Sequence, residues 1–304
     1  MRRPPPLSHF LKFPIVSGTT ALAIGVTLAW WSHKIDIDPL RETIEIRRGQ
    51  LWRMLTSALP HANFLHLAFN VYWIWVFGTL VEETFGHVKT LAIFALLAVA
   101  ANGAEYALLS GGIGLSGIGY GLFAFLWVLS RRDRRFADAM DPNTIQVFVA
   151  WFFICIVLTF TVYPIANIAH GAGAVAGALL GWAITPSPRR VMATAALTAL
   201  IGATFIAATV ARPWVNFSKE GGFAEAGLAY DALIADRNDE ALRWSRDATR
   251  MQPRNANFWF NMGIACERLN RPVQSADAFK RARDVDPSNA EYQGAWQDSK
   301  APER

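Results

Sequence analysis

Four polar side chains lie inside apolar stretches of this sequence: His66 and Asn70 in HANFLHLAFN, Ser116 in GLSGIGYG, and His170 in ANIAHGAGAVAG. Such groups are costly in a membrane helix unless they are paired or line a wet cavity. His66 and Asn70 are four apart, as are Ser116 and Tyr120, so each pair shares a helix face. A serine hydroxyl is a poor nucleophile until a base within hydrogen-bond reach takes its proton, and histidine is the usual base near neutral pH. Ser116 as nucleophile and His170 as base would suit acyl transfer. Gly114 and Gly117 flank Ser116, so backbone can approach closely, and the start of a helix leaves N–H groups aimed at developing negative charge. Asn70 and His66 add side-chain donors for the same oxyanion. Glu82 and Glu105 are the only acidic candidates in the core segments and belong to other regions, so a Ser–His dyad is expected rather than a triad.

Either residue alone has an ordinary explanation: a serine in a glycine-rich helix start usually packs, and a lone histidine usually bonds a neighbouring helix. Their combination carries the reading. His61 and His66 are five apart with no acidic partner evident, and the two cysteines, Cys155 and Cys266, have no ligand spacing. No metal and no cofactor are expected.

The elements that must position these residues are membrane helices. The chain has 304 residues, is 53% hydrophobic and only 17% charged, with a mean hydropathy of +0.22; a soluble protein carries about 25% charge. Apolar stretches recur at 14–31, 64–81, 88–109, 115–130, 144–163, 167–184 and 191–211, most of them near the ~20 residues that cross a bilayer. The 115–130 stretch is short and could span only beside a wet cavity. Gly117 and Gly121, with Gly173 and Gly177, would bring the fourth and sixth helices into close contact and set Ser116 against His170. The first stretch lacks an evident cleavage site after it and is read as a retained helix.

The net charge of +5 comes from clusters between apolar stretches, which membrane orientation explains and nucleic acid need not. Arg2, Arg3 and Lys12, then Arg131, Arg132, Arg134 and Arg135, then Arg189 and Arg190 fall on one side if seven helices alternate. That places the N-terminus in the cytoplasm and everything after Arg212 outside it. The mixed-charge segment 34–62 goes against this count. The expected setting is a bacterial inner membrane.

Two domains are expected, a membrane domain over 1–211 and a helical repeat domain over 217–304. The second is charged and repeats with a period of 34: Leu228 returns as Met262, Ala248 as Ala282 and Pro253 as Pro287. Its second copy is similar to the tetratricopeptide repeat, with Trp259, Gly263, Phe279, Ala282 and Pro287 in place. The first copy departs from it, with Glu225 where an aromatic is usual and Ala229 for the glycine. A tail of this kind suits a peptide or protein partner.

Taken together, residues 14–184 resemble the rhomboid family of intramembrane proteases. The family's glycine-x-serine-glycine motif appears as Gly114 to Gly117, its histidine with glycines three and seven places on as His170, Gly173 and Gly177. Its second-helix histidine and asparagine match His66 and Asn70, its tryptophan–arginine pair Trp52 and Arg53, and its glutamate Glu82. The resemblance implies an all-α polytopic bundle with a six-helix core, here with a seventh helix and the repeat tail. It implies a serine endopeptidase cutting transmembrane protein substrates in or near their membrane segments, with Tyr120 packed against His170. The competing readings are a catalytically inactive relative that binds membrane proteins, a small transporter or channel, and a bare anchor for the repeats.

Overall fold

The computed structural model describes residues 4–161 and 164–300. Arg2 and Arg3, the last two residues of the expected fifth helix (162–163) and residues 301–304 lie outside them. The chain divides into two compact units, Met1–Val210 and Ala211–Arg304.

The first unit is all-helical, as expected. Its long helices are α1 (Pro14–Trp31), α2 (Phe64–Phe85), α3 (His87–Leu108), α5 (Pro142–Thr161), α6 (Asn167–Ile184) and α7 (Arg190–Ala208), each long and apolar enough to cross a membrane. Between them α4 (Ser116–Ser130) has only 15 residues, about 22 Å at 1.5 Å per residue. That falls short of a ~30 Å hydrocarbon layer, and α4 is accordingly strongly enclosed, with every residue from Gly117 to Leu126 buried. At the other extreme α5 leaves Phe153, Val157 and Phe160 exposed, the outward apolar face of a helix that meets lipid.

Two helices of this unit start without a cap of their own and borrow one. α1 begins at Pro14, whose missing N–H costs nothing at a first position, but Phe13 before it supplies no side-chain cap. Glu82 of α2 does so instead, accepting from the Ile15 and Val16 N–H groups at 2.9 Å each, with His87 Nδ1 2.7 Å from the same carboxylate. α6 follows Ala166, which likewise provides no cap; Glu105 of α3 accepts from the Ala169 N–H at 2.9 Å. Orphan N–H groups of a helix start cost most where water is absent. This explains two buried acids in apolar helices.

α4 and α6 touch through glycine. A Cβ on Gly173 would stand 2.2 Å from the Gly117 carbonyl oxygen, and one on Gly177 only 1.9 Å from that of Gly121. Backbone against backbone at this distance leaves no room for any side chain.

The second unit carries α8 (Phe223–Ile234), α9 (Asn238–Met251), α10 (Ala256–Arg268), α11 (Pro272–Val285) and α12 (Ala290–Asp298). α9 and α11 start at 238 and 272, 34 residues apart. In the second hairpin Gly263 admits the Phe279 ring, whose edge would lie 2.4 Å from a Cβ there. In the first hairpin Glu225 is fully buried, and its carboxylate meets Arg212 at 2.9 Å. An ion pair occupies the position where an aromatic was expected, and breaking it would strand a buried charge.

Candidate active site

The site is assembled from three helix starts and the segment between α1 and α2. Asn63 caps α2, its side chain accepting from the His66 N–H at 2.9 Å, and so fixes the turn that presents His66 and, one turn on, Asn70. Gly114 has φ +110°, a conformation that disfavours any side chain, and a Cβ there would stand 2.6 Å from the His66 ring. The chain can therefore fold close over His66 and enter α4 at Ser116. Gly117 lies against Ala101 of α3, 2.5 Å from where its own Cβ would be.

These constraints bring Ser116 Oγ to 2.8 Å from His170 Nε2, a hydrogen bond of normal length. Ser116 is half-buried and His170 buried. The Tyr120 ring lies 4.7 Å from the imidazole, tilted by 30°. Tyr120 is itself wedged edge-on against Phe148 and Phe152 and donates its hydroxyl to the Phe148 carbonyl at 3.3 Å. Among the described residues His170 Nδ1 has no hydrogen-bond partner. An aromatic face, rather than a carboxylate, orients the ring.

Asn70 is buried, and among the described residues its amide nitrogen has no partner. A buried amide donor with nothing to bond is costly unless something arrives to accept from it. His66 is half-buried, its ring 4.8 Å from that of His61.

Three contributors were not assigned to the site from the sequence. His61 is fully buried and holds the approach to the serine: its Nε2 accepts from the Leu115 N–H at 3.3 Å, and Nδ1 donates to the Leu59 carbonyl at 2.9 Å. Burial, reinforced by neighbouring His66, pushes its pKa down to about 3. The ring is therefore neutral at physiological pH, as an acceptor at Nε2 must be. Glu42, from the segment after α1, accepts from the Gly112 N–H at 2.9 Å in the irregular segment leading to Ser116; burial raises its pKa well above the usual carboxylate range. Glu105 anchors the turn of α6 that carries His170. Its acidity in an apolar helix was the available signal, and the missing cap at Ala166 was the clue to its target.

Trp52 and Arg53 belong to the segment between α1 and α2. Trp52 is exposed, while Arg53 is buried and braces the segment before α2, donating to the Arg41 carbonyl at 3.0 Å and to Gln50 at 2.8 Å. Among the described residues no group of three His, Cys, Asp or Glu could hold a metal ion.

Residues 48–187 match the Rhomboid domain. The matched span contains α2 to α6 and with them Ser116, His170, His66, Asn70 and Tyr120. The chain is 33% identical over 135 residues to the rhomboid protease GlpG of Pectobacterium atrosepticum, covering 44% of this chain and 48% of that protein. The rhomboid protease GlpG of Serratia proteamaculans matches equally, and that of Haemophilus influenzae is 29% identical over 140 residues, 72% of its length. The chain spans about half the length of the first two relatives. These matches support the rhomboid family for the first unit, and a multi-pass membrane protein, in keeping with its apolar helices.

Proposed function

We propose that this chain is a rhomboid-family intramembrane serine endopeptidase, with Ser116 the nucleophile and His170 its base. The observation that carries the reading is the 2.8 Å hydrogen bond between Ser116 Oγ and His170 Nε2, inside a span similar to rhomboid proteases. His170 takes the serine proton as Oγ attacks the substrate carbonyl, and returns it to the leaving amine. Asn70 and the backbone at the start of α4 face the oxyanion, with His66 beside them. Water then enters, loses a proton to His170 and attacks the acyl carbon; the bond to Oγ breaks, His170 returns the proton to Ser116 and the acid leaves. Tyr120 keeps the imidazole in plane for both transfers. The substrates are transmembrane proteins whose helix opens locally to expose a peptide bond.

The basic clusters at Lys12, Arg131 to Arg135 and Arg189–Arg190 support a cytoplasmic N-terminus, with Ala211–Arg304 on the opposite side of a bacterial inner membrane. A reporter fused after Arg304 is expected to read extracytoplasmic; a cytoplasmic signal overturns this topology. The chemistry is tested by reconstituting the chain with a single-pass substrate. Wild type is expected to cleave it and Ser116→Ala to leave it intact. Equal cleavage by both removes Ser116 from the mechanism, and cleavage by neither favours an inactive relative that only binds membrane proteins.

A further inference from the structure

The second unit has a feature that proteolysis does not use. Between α9, α10 and α11 lies a depression of about 440 Å³, lined by Arg246, Arg250, Trp259, Met262 and Arg281 with Thr249 at its base. It is open to solvent rather than enclosed, the shape of a surface that takes a peptide side chain rather than a buried small molecule. Its floor is apolar: Trp259 and Met262 lie one helix turn apart on α10 and are both half-buried. The Trp259 ring is fixed by its own N–H, which donates to the Pro253 carbonyl at 2.8 Å.

Its rim is cationic. Arg281 lies over the Trp259 ring at 4.8 Å and is steadied by Asp277 at 2.9 Å. Arg250 lies over Trp214 at 4.2 Å and meets Asp247 at 3.6 Å. Among the described residues the hydrogen bond of Arg246 goes to a neutral amide, Gln274, at 3.4 Å. A guanidinium has five donors in a planar fork, so one such contact leaves most of its capacity toward solvent. Basic and acidic residues balance over Ala211–Arg304. Arg250 and Arg281 each share their charge with a neighbouring aspartate, so among the described residues Arg246 is the rim guanidinium without a carboxylate beside it.

We propose that this depression binds an acidic peptide segment, seating one apolar side chain on Trp259 and Met262 while flanking carboxylates pair with Arg246, Arg250 and Arg281. Two of the three guanidinium groups are already held in place by stacking and an aspartate, which lowers the ordering cost of binding. Carboxylates match the fork geometry, and the apolar floor distinguishes a peptide from a simple anion. An anionic membrane surface is the less fitting occupant, since polybasic membrane patches use about four to eight basic residues. The proposal is independent of the proteolytic reading.

The test uses the full chain in detergent and a fluorescein-labelled peptide carrying a phenylalanine between glutamates, read by anisotropy at physiological salt. Saturable binding is expected, abolished when lysines replace the glutamates and weakened when alanine replaces the phenylalanine. Arg246→Glu, which breaks no ion pair among the described residues, and Trp259→Ala are each expected to weaken it by about tenfold. Arg246→Gln should give a smaller loss, and circular dichroism should show helix content unchanged in every variant compared. Absence of binding overturns the proposal, as does binding indifferent to Arg246 or to the phenylalanine. If vesicles rich in anionic lipid bind through Arg246 and the peptide does not compete, the occupant is a membrane and the proposal fails.

Discussion

A single methyl group at Gly173 should separate packing from chemistry. Its Cβ would fall 2.2 Å from the Gly117 carbonyl oxygen. That oxygen is backbone and cannot rotate away, so α6 must retreat from α4. His170 stands one turn before Gly173 on the same helix, and Ser116 adjoins Gly117. A retreat of about 1 Å at this crossing would stretch the 2.8 Å contact between Oγ and Nε2 beyond hydrogen-bond reach, and misplacement of that size costs about 100-fold in rate. Overpacking should add a loss of ~1–3 kcal/mol in stability. Gly171, two residues earlier on α6, supplies the control: nothing lies within 4 Å of its Cβ position. Gly171→Ala should cleave a single-pass substrate within about twofold of wild type, gaining slightly in helix propensity, while Gly173→Ala falls about 100-fold. Initial rates in liposomes, with thermal melts of each variant, would decide it. If Gly173→Ala cleaves like wild type, or both variants fall together, the backbone contact does not set the dyad.

Other expectations follow from single contacts. Asn70→Ala should reduce turnover by about 100-fold with an unchanged melting temperature, the usual cost of one oxyanion donor; a wild-type rate would remove Asn70 from the site. Glu105→Ala orphans the Ala169 N–H and should lower stability by ~1–3 kcal/mol. It should also lower kcat with little change in KM, whereas Glu105→Gln keeps an acceptor and should recover most of both; equal defects in the two variants would rule out the capping role. His61 has a folded pKa near 3, below its unfolded value, so its contribution is present above ~6.5 and is lost as pH falls toward 3, at up to about 1.4 kcal/mol per pH unit. The fall in melting temperature between pH 7 and 5 should therefore be smaller in His61→Gln than in wild type, and an equal fall would refute it.

The sequence showed Ser116 and His170 because polar groups in apolar helices are rare and the glycines around them have a recognisable spacing. It could show that Gly117 and Gly121, Gly173 and Gly177 permit contact, but only the fold shows carbonyl oxygens filling that space. His61 was not legible as a site residue: it lies in an irregular segment without periodicity, and its role depends on meeting Leu115, far along the chain. Glu105 was noticed and set aside, since residue type reveals the cost of a buried acid but not which helix start it satisfies. Glu225 shows the same limit: its partner Arg212 sits 13 residues earlier, outside the repeat whose pattern it interrupts.

The central claim is that Ser116 is a nucleophile activated by His170, and covalent capture tests it most directly. The purified chain is treated with a fluorophosphonate and the adduct is located by mass spectrometry of its peptides. The account predicts one adduct, on Ser116, absent in Ser116→Ala and formed far more slowly in His170→Ala. An adduct elsewhere, or labelling of Ser116 at the same rate without His170, would contradict it.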